Sequence, residues 1–192
     1  DIILLSPTGS GKTLAYLLPV LMGLNPDSQK VQALILAPSR ELVQQIEQVW
    51  RSMGTGYKVN SCFGGRPSNK EKRDLVLPPA VLIGTPGRLQ DHIERNNFEV
   101  DDIHLLVLDE FDKSLELGFT EQMEAIISSL PDVRRNILTS ATDTELIPAF
   151  TGIKESVKLD YSEKDKQQKG LQLFSAKGKD NDNDKMDLLY EL

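Results

Sequence analysis

Two short runs of the chain carry the residue types that handle phosphate and metal. The first, Ser6-Pro7-Thr8-Gly9-Ser10-Gly11-Lys12-Thr13, lies between an apolar run, Ile2-Ile3-Leu4-Leu5, and a helical pattern. A loop between strand and helix is the context that a phosphate-binding loop needs. Gly9 and Gly11 let the backbone curl until successive N–H groups face phosphate oxygens, and the helix start adds partial positive charge. In that arrangement Lys12 reaches the β- and γ-phosphates and the Thr13 hydroxyl ligates Mg2+. The strict pattern asks for Gly where this chain has Ser6.

The second run, Leu105-Leu106-Val107-Leu108-Asp109-Glu110-Phe111-Asp112, is an apolar strand ending in carboxylates. A nucleotide hydrolase needs such a pair at the carboxyl edge of its sheet: one group holds the metal shell and its neighbour polarises the attacking water. Asp109 is assigned to the metal and Glu110 to the water, with Lys12 as the third catalytic group. Asp112 sits too far along to share that task and suits a contact between domains. Acids after a strand are often only a polar turn; an upstream phosphate loop reverses that reading.

These groups need a scaffold, and the hydrophobic pattern supplies one. Apolar, β-branched runs at 2–5, 33–37, 59–63, 80–84, 105–108 and 136–139 alternate with helical patterns, the signature of repeated βαβ units. Several runs are apolar throughout, as strands covered on both faces must be. Leu42, Val43, Ile46, Val49 and Trp50 share one helix face, as do Phe119, Met123, Ile126, Ile127 and Leu130. Pro19 is expected to kink or end the helix that starts near Gly11. The predicted fold is α/β: an open parallel sheet with helices on both faces and ligands at the strands' carboxyl ends.

Residues 1–160 are expected to form this domain. The stretches 161–170 and 177–187 are charged and nearly free of aliphatics, as in a solvated linker. A possible strand at 171–174 and a helix opening at 186–192 read equally well as the start of a second domain or as a loose tail.

Composition sets outer limits. With 192 residues, 39% hydrophobic and 27% charged, the chain can bury a full α/β core. It has no apolar run of 18 residues, so no membrane span is expected. The single cysteine, Cys62, excludes an internal disulfide framework and suits a reducing, cytoplasmic setting. Asp1 opens directly on a core strand, so the chain reads as part of a longer protein. The net charge of −7 argues against holding nucleic acid by bulk attraction, although a local groove of backbone N–H groups and a few arginines can do so.

Asp109-Glu110-Phe111-Asp112 resembles the Asp-Glu-Ala-Asp box of DEAD-box RNA helicases, with Phe for Ala. The phosphate loop is similar too, since that family typically carries Ala where this chain has Ser6. Ala37-Pro38-Ser39-Arg40-Glu41-Leu42 resembles its Pro-Thr-Arg-Glu-Leu element, and Gly64-Gly65 its glycine pair. Thr85-Pro86-Gly87-Arg88 and Ser140-Ala141-Thr142 match two further elements unchanged, all in the family's order between residues 6 and 142.

The resemblance implies a RecA-like motor domain that uses ATP and Mg2+. It implies an RNA face made of Pro38, Ser39, Arg40, Gly64, Gly65, Thr85, Pro86, Gly87 and Arg88, reading sugar and phosphate rather than base sequence. Ser140, Ala141 and Thr142 would couple ATP state to strand separation, with the Ser140 and Thr142 hydroxyls bonded to Asp112. From the residues alone, Gly64-Gly65 is equally a turn and Pro86 a helix start. The resemblance further implies an adenine-recognising segment upstream and a second RecA-like domain that lends arginines to the γ-phosphate. An absent arginine finger costs on the order of 10³–10⁵ in rate, so the 192-residue chain is expected to be nearly inactive alone. Phe111 for Ala spares both essential carboxylates. A monomer is expected. A DNA-directed motor and a non-catalytic scaffold are the competing readings; intact Lys12, Thr13, Asp109 and Glu110 argue against the scaffold.

Overall fold

Alternating strands and helices wind into one parallel sheet. In chain order the elements are β1 Ile2–Leu5, α1 Lys12–Gly23, β2 Ala33–Leu36, α2 Arg40–Ser52, β3 Val59–Cys62, α3 Ser68–Leu75 and β4 Val81–Gly84. There follow α4 Pro86–Glu94, β5 Leu105–Leu108, α5 Phe111–Glu116, α6 Thr120–Ser128, β6 Arg135–Ser140, a 3-10 turn Ala149–Thr151 and β7 Val157–Asp160. The computed structural model describes residues 1–65, 68–142, 147–153 and 155–162. The possible strand at 171–174 and helix at 186–192 lie outside the described residues.

The strand order is β3-β4-β2-β5-β6-β1-β7, and every pairing is parallel. Alternate side chains of the central strands feed two separate cores, because successive residues of a strand point to opposite faces. Leu34, Leu36, Leu82, Leu106 and Leu108 pack with Leu75 of α3, Leu89 of α4, Phe111 of α5, and Met123 and Ile126 of α6. Ala33, Ile35, Val81, Ile83 and Val107 pack with Tyr16, Leu17 and Val20 of α1 and Val43, Ile46 and Trp50 of α2. This three-layer burial is why the strands read as continuous apolar runs.

Helix starts follow local chemistry. Ser39 caps α2, its hydroxyl accepting the Leu42 N–H at 3.2 Å. Pro86 occupies the first position of α4, where its missing N–H costs nothing. Of the two outcomes expected at Pro19, a kink or an end, the end does not occur: α1 passes through Pro19 and stops at Gly23. Proline there deletes the bond to the Ala15 carbonyl, but Ala15 is exposed, so water can take the freed acceptor. Among the elements not anticipated, α3 and β7 stand out. The eight-residue α3 is almost wholly polar, and β7 is an edge strand with exposed side chains on both faces.

Candidate functional site

All the motifs emerge at the carboxyl ends of strands, on one edge of the sheet, and the strand order sorts them into two halves. Gly64-Gly65 follows β3, Thr85-Pro86-Gly87-Arg88 follows β4, and Pro38-Ser39-Arg40 follows β2. The acidic box follows β5, Ser140-Ala141-Thr142 ends β6, and the phosphate loop follows β1. Carboxylates, hydroxyls and Lys12 thus stand together on neighbouring strands, and the small residues with Arg40 and Arg88 stand together on the other three.

In the first half, Gly9 and Gly11 hold φ values of +77° and +91°, and a Cβ on either would meet nothing within 4 Å. The loop is therefore an open cradle that glycine shapes by conformation rather than by close packing. Lys12 is buried; its Nζ donates to the Ser6 carbonyl at 2.5 Å, and the Ser6 and Ser10 hydroxyls are bonded to each other. Ser6 also donates its N–H to the Ser140 carbonyl at 3.1 Å, tying the loop to β6.

Asp109 is 3% exposed, and both its oxygens are engaged. Tyr16 Oη donates to Oδ2 at 3.1 Å and Thr139 Oγ1 to Oδ1 at 2.5 Å. Burial raises the carboxyl above its ordinary value, against the pull of the Thr139 and Tyr16 bonds and of the Lys12 charge. Burial, and next the Asp109 charge, holds the Tyr16 hydroxyl well above the usual tyrosine range. Glu110 sits in left-handed backbone at φ 45°, ψ 54°, a conformation costing roughly 1–2 kcal/mol for a residue with a side chain. Its N–H donates to Thr139 Oγ1 at 3.1 Å. Burial, then the neighbouring Asp109 charge, raises the Glu110 carboxyl, which makes it a better proton acceptor. Thr139 therefore pins both acidic residues; it precedes Ser140 directly in sequence, and only the topology marks it.

Asp112 Oδ2 accepts the Thr142 hydroxyl at 3.0 Å and the Ala141 N–H at 3.3 Å. Ser140 turns instead to Thr142, donating to its carbonyl at 2.6 Å and accepting its N–H at 3.2 Å. Burial pushes the Asp112 carboxyl up, but the Thr142 bond and backbone N–H groups outweigh it and hold the group below its ordinary value. The buried Asp112 Oδ1 has no partner among the described residues.

In the second half, a Cβ on Gly65 (φ +90°) would stand 3.2 Å from Arg40 Nη1, so the exposed guanidinium of Arg40 lies against the glycine pair. Gly84, just before Thr85, admits no side chain: its Cβ would be 2.6 Å from the Cys62 carbonyl. Thr85 N–H donates to that same carbonyl at 3.1 Å. Arg88 is only 17% exposed and pairs with Glu71 at 3.3 Å. Glu71 did not stand out in the sequence, where it sits in a charged run that reads as a solvated face. Phe111 is fully buried, its ring 6.4 Å from that of Phe150, which accounts for the bulky residue in the acidic box.

A phosphate loop beside a strand-end Asp-Glu pair on a parallel sheet defines a RecA-like P-loop domain. Residues 1–147 match the family model described as DEAD/DEAH box helicase, and the chain belongs to that family. It is 40% identical over 144 residues to the ATP-dependent RNA helicase CshA of Limosilactobacillus reuteri, covering 74% of this chain and 29% of that protein. It is 42% identical over 144 residues to the ATP-dependent RNA helicase DbpA of Bacillus subtilis, covering 74% and 30%. The fold resembles the crystal structure of a DEAD box protein from Methanococcus jannaschii with a TM-score of 0.73 at 28% identity, over 82% of this chain and 45% of that one. The chain spans less than a third of the length of these curated relatives.

Proposed function

We propose that this chain is the ATP-binding motor domain of an ATP-dependent RNA helicase. In this reading it holds ATP–Mg2+ and the sugar–phosphate backbone of single-stranded RNA, and hydrolysis drives duplex unwinding or remodelling of ribonucleoprotein. The observation that carries the reading is the division of the sheet edge: phosphate and acid–base chemistry on β5-β6-β1, small-residue loops with arginines on β3-β4-β2.

The geometry supports a role for each residue. The open cradle of Gly9 and Gly11 suits phosphate oxygens, and Lys12 turns from the Ser6 carbonyl to the terminal phosphates. Thr13 and Asp109 are the groups that would hold Mg2+; a buried carboxylate oxygen and a hydroxyl are the ligand types a hard cation takes, and the ion would neutralise charge between the phosphates. Glu110, raised above the ordinary carboxylate range, takes the proton of the attacking water. Asp112, with Thr142 and Ala141, links the acidic box to the end of β6. Pro38, Ser39, Arg40, Gly64, Gly65, Thr85, Pro86, Gly87 and Arg88 form the RNA face. Residues 1–160 act as the first motor domain, and 161–192 lead into a second, RecA-like one that completes the ATP site. A 192-residue chain alone turns over slowly, acts as a monomer and works in the cytoplasm.

The test is ATP hydrolysis with and without single-stranded RNA, in a protein carrying both motor domains. RNA should stimulate turnover and DNA should not. Glu110→Gln should lower the stimulated rate by about 10²–10⁴-fold, the worth of one positioned base, and leave nucleotide affinity nearly unchanged. Turnover equal with and without RNA, or untouched by Glu110→Gln, would sink the reading.

A further inference from the structure

Beneath the second half of the sheet edge lies a buried cluster outside the nucleotide site. Cys62, Glu71 and His92 are all buried, with possible ligand atoms within 4.8 Å of one another. Metal binding does not fit them. His92 Nε2 lies 2.9 Å from Glu71 Oε2 and Nδ1 lies 2.9 Å from Asn97 Nδ2, so hydrogen bonds engage both ring nitrogens. The Arg88 cation already stands 3.3 Å from that same Glu71 oxygen.

What the cluster does is join three elements on one carboxylate. Glu71 Oε1 accepts the N–H of Phe63, the residue just before Gly64-Gly65, at 3.1 Å. Its Oε2 takes Arg88 and His92, both on α4, the helix that Thr85-Pro86 begins. Glu71 itself comes from α3, a helix whose other described side chains are exposed apart from Leu75. Keeping a carboxylate 3% exposed is costly unless its partners are fixed, and these partners are the stems of two loops on the proposed RNA face.

We infer that Glu71 is a positioning residue for RNA binding: its buried carboxylate fixes the glycine-pair loop and the start of α4 relative to each other. The inference rests on the RNA-binding reading above. Arg88 then serves mainly as the pin that meets Glu71, and the backbone amides carried on the two loops meet the phosphates in a fixed spacing. A face that reads a regular backbone with few cations depends on such spacing, because each contact is a hydrogen bond with narrow geometric tolerance.

Glu71→Ala and Glu71→Asp decide the matter, the second keeping the charge but shortening its reach by one methylene. Two affinities are measured on each full chain: fluorescence anisotropy with labelled oligouridine about ten nucleotides long, a usual single-strand site size, and binding of a fluorescent ADP analogue. Glu71→Ala should bind RNA about ten-fold more weakly, and the nucleotide affinity should stay within about two-fold; ten-fold corresponds to about 1.4 kcal/mol. If Glu71→Ala does not fold, Glu71→Asp carries the test, with RNA affinity down about three-fold or more and nucleotide binding intact. RNA affinity at the wild-type level in a folded variant overturns the inference, as does equal loss of both affinities. A wild-type chain that binds no oligouridine sinks the RNA reading itself, a result separate from either variant's.

Discussion

The acidic box places two aspartates three residues apart and drives their acidities in opposite directions. Asp109 is raised because burial outweighs its hydroxyl partners; Asp112 is lowered because Thr142 and backbone N–H groups outweigh its burial. A carboxyl whose folded pKa lies below its unfolded value, about 3.9 for Asp, stabilises the fold fully above that value. The contribution is lost as pH falls through the folded pKa. Asp109 has the opposite sign: its raised pKa favours the fold at low pH and gives that up as pH rises through the folded value. Comparing wild type with Asp112→Asn isolates the first effect. In denaturant titrations, wild type should be the more stable by a constant margin above about pH 5, and the margin should shrink as acid protonates Asp112. A margin that is flat or widens in acid would show that Asp112 gains nothing from Thr142 and Ala141. Single residues also mark where the sequence could be read. Lys12, Asp109 and Glu110 stand in runs whose spacing alone suggests the chemistry. Glu71 and Thr139 act only through partners brought up by the fold, Phe63 and His92 for one and Asp109 for the other. In the chain they are an acid in a charged run and a threonine in a strand.

At the scale of elements, each of the six strands expected between residues 2 and 139 is present within a residue or two, because strands buried on both faces must be continuously apolar. The missed elements break that rule. β7 is an edge strand with exposed side chains, and α3 keeps only Glu71 and Leu75 inside among its described side chains. Strand order was not legible either, since each strand looks alike from its own sequence; yet that order separates the two halves of the site. Element packing also explains Phe111. It is the first residue of α5, directly after the strained Glu110, and its ring fills the core against Phe150. Phe111→Ala, which restores the family's usual residue, is therefore expected to destabilise this chain by about 3–5 kcal/mol, the cost of truncating a buried ring. Urea unfolding measures it. A loss below about 1 kcal/mol would mean that neighbouring side chains collapse into the space.

At the scale of the whole molecule, the proposed function asks a chain of net charge −7 to hold a polyanion. The arrangement of the edge resolves the conflict by using few cations. Of the two arginines on the proposed RNA face, Arg40 is exposed beside Gly65 but paired with Glu41 at 3.3 Å, and Arg88 is mostly buried against Glu71. The remaining members are two prolines, which have no N–H and bring only small size, three glycines and a serine, which also bring backbone N–H groups, and Thr85, whose N–H is held by the Cys62 carbonyl. Binding through amides releases few counterions, so its salt dependence should be shallow. With one or two phosphates neutralised, log K should fall with log salt at a slope of about −0.7 to −1.4, given about −0.7 per phosphate on single strands. Anisotropy titrations of oligouridine across salt concentrations read this slope directly. A slope of about −3 or steeper would mean that cations outside these two arginines carry the binding, and the RNA face would have to be redrawn around them.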